Sequence, residues 1–549
     1  MKWRITIVII GFGILYLVLV LNLYNVQFNK AAYYSAKAES QHLASGIVEA
    51  VRGNIYFTDK NNNSIPAVLN KDYPTIYAVP KEIQQDAEER GMTVSEYAQA
   101  LSPIVGKSAE DLEKQLNKKN DLYELLIQKA TPQQVNDAKN LGFNGIYVDN
   151  RLLRFYNFNN LAAQLLGFVA PDEKSDELVG RYGLELQFNS LLAGKSGRIK
   201  GDSVTSPENG KNLNLTIDRN IQAQAEEILD ALVKEKDAEA GSVIVQEPST
   251  GKILAMAGFP NFDPNNYSKS ELKNFLNTNV QSVYEPGSVF KVITMAVGID
   301  SGKITPDTTY VDTGSVTLNG RTIKNWDNKA HGKQTMTGVI EQSINTGAVF
   351  AEQKTGHDIF YNYLLKFGLN ELTDIDLPGE VKGNLENLKR GRDIHFATAS
   401  FGQGVSVTPI ELISAISALA NDGVLMKPLI LADDKPQVAR RVIKPETAKA
   451  VTQMMASAVK KNVLADIPNY AVAGKTGTAF VPDFNHGGYT DEVINTYAGF
   501  APASSPKFVI LVKLDKAAGA PLAGQTVVPA FRELAQFILN YYNIAPDEL

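Results

Sequence analysis

Short apolar runs and longer amphipathic stretches follow one another along the second half of the chain. The amphipathic stretches predict helices, including 220–234 and 531–542, and the short runs predict strands. The predicted strands are 213–217, 241–246, 253–257, 471–478, 496–500 and 508–514. Because strands and helices do not alternate regularly, as they would in βαβ units, the pattern indicates an antiparallel sheet covered by helices. We therefore expect an α/β protein of the α+β kind.

The first 200 residues have a different organisation. Short strand-like runs at 55–57 and 76–79 are followed by charged helical stretches. Three helix starts carry capping pairs, in which a hydroxyl residue precedes an acidic or amide residue by three positions, at Thr93/Glu96, Ser108/Asp111 and Thr131/Gln134. A polar stretch with proline and glycine at 201–211 is typical of a linker. The pattern predicts an N-terminal α+β domain over residues 24–205 and a second domain over residues 206–549.

The N-terminal end carries a long uncharged run. Residues 5–23 form an apolar stretch of 19 residues, close to the ~20 that cross a bilayer. The best match to a signal-peptide cleavage site lies too far beyond this run for the usual layout. Lys2 and Arg4 place the head, residues 1–4, in the cytoplasm. We expect an uncleaved, single-pass transmembrane anchor at 5–23, with the rest of the chain outside.

Composition narrows the chemistry. A chain of 549 residues predicts two to four domains, and a net charge of -6 gives no electrostatic footprint for nucleic acid. Cysteine is absent, which excludes disulfides, thiol nucleophiles and thiolate metal sites. The five histidines show no metal-ligand spacing. We therefore predict no metal and no other cofactor.

Candidate chemistry begins in the stretch 284–300, YEPGSVFKVITMAVGID. Pro286 and Gly287 predict a turn before a helix that begins at Ser288, and the apolar residues beyond Lys291 predict that this helix is buried. Residues three apart share a helix face, so the Lys291 amine can reach the Ser288 oxygen. Free N–H groups at the helix start would point toward a developing oxyanion. The pair predicts a nucleophilic serine beside a lysine.

The Ser-x-x-Lys spacing is weak evidence alone, because the chain contains it five times. The other four copies lie in a charged stretch, near a helix end or in turn-like segments, and begin at Ser249, Ser270, Ser457 and Ser504. Only Ser288 combines a helix start with a buried continuation.

The activating base is predicted to be a lysine. Ser288 lacks the Gly-x-Ser-x-Gly elbow of Ser-His-Asp hydrolases. Burial lowers the pKa of a lysine, more so beside a second cation. Two Lys-Thr-Gly triplets offer that cation, and Lys475, in a run typical of an exposed strand edge, is favoured over Lys354, in a polar helical context. Between helix and strand, Ser343 and Asn345 offer a hydroxyl and an amide at a bend between helical segments.

Taken in order, Ser-x-x-Lys, Ser-x-Asn and Lys-Thr-Gly form the signature shared by penicillin-binding proteins and serine β-lactamases. Over nearly its whole length the chain resembles the class B, monofunctional penicillin-binding proteins, with division-type relatives favoured over elongation-type ones. The matching segments are RYGLELQFNSLLAG, LTIDRNIQ, YEPGSVFK, SFGQGVSVTP and GKTGTA. The resemblance implies the penicillin-binding transpeptidase fold, behind an N-terminal pedestal domain of the dimerisation type.

The resemblance also implies a peptidoglycan D,D-transpeptidase that crosslinks stem peptides through an acyl-enzyme. Ser288 would attack the carbonyl between the two terminal D-alanines, and Lys291 would accept its proton. Ser343 would pass a proton to the leaving amine, while Asn345 would orient the substrate and Lys291. Lys475 would tune that amine. The terminal carboxylate would be bound by Lys475 together with Thr476, Gly477 and Thr478.

The implied partners are peptidoglycan stem peptides, β-lactam antibiotics, a polytopic lipid II-polymerising glycosyltransferase and other cell-wall machinery. The implied location is the bacterial cytoplasmic membrane, with the catalytic domain on its exterior side. Two alternatives stay open: a β-lactamase or membrane β-lactam sensor with the same motifs, and a catalytically idle scaffold of the cell-wall machinery. The intact motif residues argue against the scaffold, and the long segment between anchor and linker argues against a β-lactamase.

Overall fold

The structure is a computed structural model that describes residues 47–119, 121–172, 178–200, 203–483, 486–519 and 522–548, with a few single positions before residue 47. Apart from such single positions, the predicted head 1–4 and anchor 5–23 lie outside the described residues. Within the described part of the chain, none of the helices has both the length and the apolar character that crossing a bilayer requires.

The chain forms two compact units. The first comprises Met1–Asn54, Val68–Phe155 and Ser190–Asn212, and the second comprises Ile55–Ala67, Tyr156–Asn189 and Leu213–Leu549. The predicted division into domains at 24–205 and 206–549 stays a prediction.

The first unit is built from helices and short strands around its own apolar core. Its helices are Pro80–Arg90, Val94–Val105, Ala109–Leu116 and Pro132–Asn140. Its strands include Ile47–Val48, Glu124–Ile127, Ile146–Tyr156, Gly197–Lys200 and Ser203–Thr205. Strand Ile65–Ala78 pairs antiparallel with Glu124–Ile127. The core includes Ile76, Ile83, Tyr97, Leu101, Leu112 and Leu116.

The helix starts predicted in this unit are confirmed. Thr93 and Glu96 form a capping box, as do Thr131 and Gln134. The Ser108 hydroxyl accepts the backbone N–H three residues on. These caps could be predicted because each satisfies orphan N–H groups of its own helix, a local requirement.

A five-stranded antiparallel sheet organises the second unit, as the pattern of apolar runs predicts. In spatial order its strands are Ile253–Phe259, Ala240–Gln246, Phe508–Asp515, Tyr489–Ala501 and Ala473–Pro482. Among the residues that the structure describes, the last of these, hereafter the edge strand, pairs with one neighbour in this sheet. The paired strands Ala473–Pro482 and Tyr489–Ala501 extend beyond the predicted strands 471–478 and 496–500, because backbone pairing continues to Pro482 and Tyr489 after the apolar pattern has ended.

Helices cover both faces of this sheet. On one face, two helices pack against Val243 and Val245 of the sheet in one apolar core that includes Phe531. These helices are Arg219–Glu235 and Val527–Tyr541. Gln246 points to the opposite face, because side chains alternate along a strand, and there it accepts a hydrogen bond from Ser417 of the buried helix Pro409–Ala420. The sheet therefore lies between two helical layers.

Further elements complete the second unit. The helices are Ala163–Leu166, Gly183–Gln187, Thr278–Gln281, Lys291–Asp300, Met336–Gln342, Asn345–Thr355, His357–Lys366, Glu386–Lys389, Asp393–Ala399 and Pro445–Asn462. The short helix Asn189–Ala193 lies almost entirely in the first unit. The paired strands are Ile55–Thr58 with Leu213–Asp218, Val169–Pro171 with Leu178–Gly180, Thr309–Asp312 with Gly332–Thr335, Ser315–Leu318 with Arg321–Lys324, and Val424–Met426 with Val438–Arg441.

The buried helix Pro409–Ala420 begins with a capping box that also serves two other segments. The Thr408 hydroxyl accepts the Glu411 N–H, and the Glu411 carboxylate accepts the Thr408 N–H at 2.7 Å. The same carboxylate accepts the N–H groups of Gly383 at 2.8 Å and Asn370 at 3.1 Å. Thr408 and Glu411 are both buried, so water cannot replace these bonds.

We expect Thr408→Val to destabilise the protein, because it leaves the buried Glu411 N–H without its acceptor. Loss of such a cap costs about 1–2 kcal/mol, which corresponds to a fall of roughly 1–3 °C in the melting temperature of a unit of this size, at an unfolding entropy of ~2.1 cal/mol/K per residue. Scanning calorimetry measures the effect. Thr93→Val is the matched control, because that capping box is exposed and water can satisfy the freed N–H. An equal or larger loss in Thr93→Val would contradict this account.

Candidate functional site

The segment 284–300 folds as a tight turn followed by a buried helix. Gly287–Phe290 forms a 3-10 turn, and the α-helix runs from Lys291 to Asp300. The predicted helix start at Ser288 is therefore a 3-10 turn rather than a first α-helical turn. Gly287 has a φ of +58°, and a Cβ there would lie 2.8 Å from the Thr478 carbonyl oxygen of the edge strand. Glycine at this position lets the turn and the edge strand approach each other.

Ser288 is half-buried and faces a cleft of about 1610 Å³. The same cleft is lined by Ser343 and Asn345 from one wall and by Lys475, Thr476 and Thr478 from the edge strand. Three segments that are far apart in sequence thus line one cleft.

The Lys291 amine lies beneath this cleft and is held by the Ser-x-Asn segment. Its Nζ donates to the Ser343 carbonyl oxygen at 2.5 Å and to Asn345 Oδ1 at 2.8 Å, and it lies 3.2 Å from Ser343 Oγ. Within the described part of the chain, no hydrogen bond joins this nitrogen to Ser288, so the predicted contact between them stays a prediction. A neutral amine has two N–H groups for the carbonyl and the amide oxygen, which leaves its lone pair free to accept a proton.

The Lys475 amine approaches the Ser343 hydroxyl from the edge strand. Its Nζ lies 3.0 Å from Ser343 Oγ, 3.0 Å from the Thr476 carbonyl oxygen and 3.2 Å from Thr476 Oγ1. The residue is 4% exposed. Ser343 Oγ therefore lies between two buried amines.

Burial dominates the electrostatics of both amines. Desolvation lowers the pKa of Lys291 well below its ordinary value, and the nearby charge of Lys475 lowers it further. Desolvation also lowers the pKa of Lys475 to about 7. Among the described residues, no carboxylate forms an ion pair with either lysine. The arrangement therefore favours an uncharged Lys291 at neutral pH, as expected of a base.

The Ser-x-Asn segment lies at a bend between helices Met336–Gln342 and Asn345–Thr355, which confirms the predicted bend. Ser343 has a φ of +57°, in the left-handed region that non-glycine residues rarely adopt. Asn345 is fixed from its other end, where its Nδ2 donates to the Lys324 carbonyl oxygen at 2.9 Å. Such local strain, held by the surrounding structure, is typical of functional positions.

A second glycine brings the edge strand against the turn. A Cβ on Gly477 would lie 2.6 Å from the Pro286 carbonyl oxygen and 2.9 Å from a Val289 methyl group. The other Lys-Thr-Gly triplet ends helix Asn345–Thr355, where the Lys354 ammonium lies over the Phe350 ring. Lys354 does not line the cleft, whereas Lys475 does.

The cleft also holds residues that the sequence reasoning did not single out. Trp326, Gly404 and Tyr489 line it, and the carboxylate of Glu285 contacts the last two. Trp326 is 58% exposed, although its indole N–H donates to the Gln342 carbonyl oxygen at 3.1 Å. The sequence does offer a reason to consider Trp326 as a functional residue, because the chain has only two tryptophans and this one lies in a polar stretch.

Two family models match the chain. A model of the penicillin binding protein transpeptidase domain matches residues 241–536. A model of the penicillin-binding protein dimerisation domain matches residues 47–219.

Named relatives match almost end to end. The chain is 30% identical over 522 residues to peptidoglycan D,D-transpeptidase FtsI of Escherichia coli, covering 91% of this chain and 85% of that protein. It is 29% identical over 556 residues to stage V sporulation protein D of Bacillus subtilis, covering 95% and 83%. Among solved structures, penicillin binding protein 3 of Mycobacterium tuberculosis in complex with aztreonam is similar, with a TM-score of 0.70, 26% identity and coverage of 91% and 98%.

We expect Lys475→Met to raise the pKa of Lys291, because it removes a positive charge that lies within reach of the same hydroxyl. Both amines contact Ser343 Oγ, so they lie close enough for the charge of Lys475 to act on Lys291. The titration midpoint of Lys291 should therefore move up by about one to two pH units. Nitrogen NMR of the Lys291 amine across a pH series measures it. Lys461→Met is the control, because Lys461 lines the same cleft but is paired with Glu341 at 2.7 Å. An unchanged midpoint in Lys475→Met would contradict the coupling.

Proposed function

The chain belongs to the penicillin-binding protein transpeptidases, as a class B, monofunctional member, and on this basis we propose how its residues crosslink peptidoglycan. It is a serine-type peptidoglycan D,D-transpeptidase with the penicillin-binding transpeptidase fold, and its substrates are peptidoglycan stem peptides. One observation carries the proposal for its residues: a single hydroxyl, Ser343 Oγ, lies within 3.2 Å of two buried amines and lines the same cleft as Ser288.

Ser288 is the nucleophile in this proposal. Its Oγ attacks the carbonyl between the two terminal D-alanines of a donor stem, and its proton passes to Lys291 Nζ. Burial supports this role, because it lowers the pKa of Lys291 and so favours the uncharged amine, whose lone pair can accept a proton. Ser288 lies in the 3-10 turn that leads into the buried helix Lys291–Asp300, and this position supports a role for its N–H group as a donor to the developing oxyanion.

The tetrahedral intermediate is stabilised by the N–H groups of Ser288 and Thr478. The close approach of Gly287 to the Thr478 carbonyl brings these two segments together and so supports the assignment. Each such donor contributes on the order of 3 kcal/mol in well-studied acyl transfer.

Collapse of the intermediate breaks the peptide bond and requires a proton on the leaving D-alanine amine. Ser343 supplies it, and Lys291 returns the proton that it took from Ser288 to Ser343. The contact between Lys291 Nζ and Ser343 Oγ at 3.2 Å supports this route. Asn345 holds Lys291 in place through its Oδ1.

The leaving D-alanine carries a carboxylate, which is bound by Lys475 together with Thr476, Gly477 and Thr478. An amine of a neighbouring stem then attacks the Ser288 ester. A new amide forms, the ester bond breaks, and the amine's proton returns to Ser288 through the same groups. The product is a crosslink between two stems. β-Lactams bind the same cleft, and in this proposal they acylate the same serine.

The membrane anchor at residues 5–23 is also proposed, with the catalytic unit on the exterior side of the bacterial cytoplasmic membrane. The uncharged run and the two basic residues before it support this orientation. We further infer a role in division rather than elongation, beside a polytopic lipid II-polymerising glycosyltransferase. The motif spacing and the family resemblance support these assignments.

We expect Ser288→Ala to abolish the covalent adduct with a labelled penicillin, since the variant lacks the attacking oxygen. Gel fluorescence after incubation measures it. Ser270→Ala is the matched control, because Ser270 also begins a Ser-x-x-Lys sequence but does not line the cleft. Labelling of Ser288→Ala at the wild-type level would contradict the assignment.

The lifetime of the adduct on the wild-type protein separates the two enzyme classes. Release of the label within seconds would favour a β-lactamase over a transpeptidase.

We expect bacteria depleted of this protein to grow as filaments and the full chain to restore division. A chain without residues 1–23, exported by a cleavable signal, should leave the alkaline-washed membrane fraction and fail to restore division. Microscopy and immunoblots of the fractions measure both results. Rounded cells after depletion would contradict the division role. Retention of the shortened chain in washed membranes would contradict the anchor.

A further inference from the structure

One carboxyl group next to the nucleophile has no part in the reaction steps above. Glu285 is half-buried and lies three residues before Ser288. Its Oε1 accepts the Gly404 N–H at 3.0 Å, and its Oε2 accepts the Tyr489 hydroxyl at 3.1 Å. The carboxylate therefore contacts two segments besides its own.

Each of these segments forms a different side of the cleft. Tyr489 is the first residue of strand Tyr489–Ala501 and pairs with Pro482 at the far end of the edge strand. Tyr489 is 44% exposed and lines the cleft. Gly404 belongs to the segment 402–407, and it lines the cleft as well.

The segment 402–407 is joined to the 284–290 turn by the backbone as well. Tyr284 and Val407 exchange two backbone hydrogen bonds, at 3.0 and 2.9 Å. The Gly287 N–H donates to the Gly402 carbonyl oxygen at 3.1 Å. This side is thus fixed by three backbone bonds. On the hairpin side, at the mouth of the cleft, the turn is tied to Tyr489 through the side chain of Glu285.

Partial burial disfavours the charged form of Glu285, and its hydrogen bonds to Gly404 and Tyr489 compensate part of this cost. Burial raises the pKa of Glu285 to about 7, and its two hydrogen bonds oppose that rise. Burial and the neighbouring Glu285 carboxylate raise the pKa of Tyr489 above its ordinary value, so its hydroxyl keeps the proton that it donates. A carboxylate in this position is a strong acceptor for both donors.

We propose that Glu285 is a positioning residue for acyl transfer. Through its hydrogen bond to Tyr489, it ties the 284–290 turn, hereafter the nucleophile turn, to the strand that pairs with the edge strand. The inference rests on the proposed role of Ser288. By fixing the separation of these two walls, the Glu285–Tyr489 hydrogen bond holds a bound peptide or β-lactam carbonyl within reach of Ser288. The bond acts on the geometry of attack, and the reacting atoms do not touch it.

Stopped-flow acylation by a fluorescent penicillin tests the proposal, because its concentration dependence separates the dissociation constant from the acylation rate constant. Tyr489→Phe removes only the exposed hydroxyl, and Glu285→Gln removes the carboxylate charge. We expect each to lower the acylation rate constant about tenfold, with less than about a twofold change in the dissociation constant. Because Tyr489→Phe deletes and Glu285→Gln weakens the same hydrogen bond, the double variant should be no slower than the slower single variant.

Tyr363→Phe is the matched control, because the Tyr363 hydroxyl donates to Asp300 at 2.7 Å and does not line the cleft. It should acylate at the wild-type rate. Acylation rates unchanged in Tyr489→Phe, effects that multiply in the double variant, or a change confined to the dissociation constant would each overturn the proposal. If Glu285→Gln does not fold, Tyr489→Phe decides alone. Full labelling at a reduced rate separates this result from failure of the Ser288 assignment, which Ser288→Ala tests.

Discussion

The structure depends on burying two lysine amines around one hydroxyl without a carboxylate to pair with them. Moving an ammonium out of water is costly, so burial favours the uncharged form of Lys291. The carbonyl of Ser343 and the amide of Asn345 satisfy the N–H groups of such an amine without supplying negative charge. An acidic partner would have held the lysine charged and therefore inactive as a base. The absence of an ion pair at Lys291, among the described residues, is thus what the proposed chemistry requires.

The fold meets this requirement by close approach of backbones. Gly287 and Gly477 leave no room for a Cβ between the nucleophile turn and the edge strand. The antiparallel sheet carries Lys475 on its edge strand, which lines the cleft. The bend at Ser343, with its left-handed backbone, turns the hydroxyl toward both amines. Packing, strand order and one strained residue together fix the position of a single oxygen.

The elements that could be predicted from sequence are those decided locally. The capping pairs at Thr93, Ser108 and Thr131 act within one helix turn, and the apolar strands carry their own pattern. The three motifs could be found because each has fixed spacing, and their order made them specific. The 3-10 geometry at Ser288 and the length of the hairpin to Tyr489 depend on tertiary pairing. So does the Glu285–Tyr489 bond, which joins residues about 200 positions apart. No local pattern encodes such contacts.

The ionisation state of Lys291 in the resting enzyme tests the central claim most directly. The nitrogen chemical shift of its Nζ at pH 7, in the wild-type protein without ligand, distinguishes an amine from an ammonium. The account predicts a neutral amine, because burial and the neighbouring Lys475 lower its pKa. An ammonium at pH 7 would contradict it, since Ser288 would then have no lysine base to accept its proton.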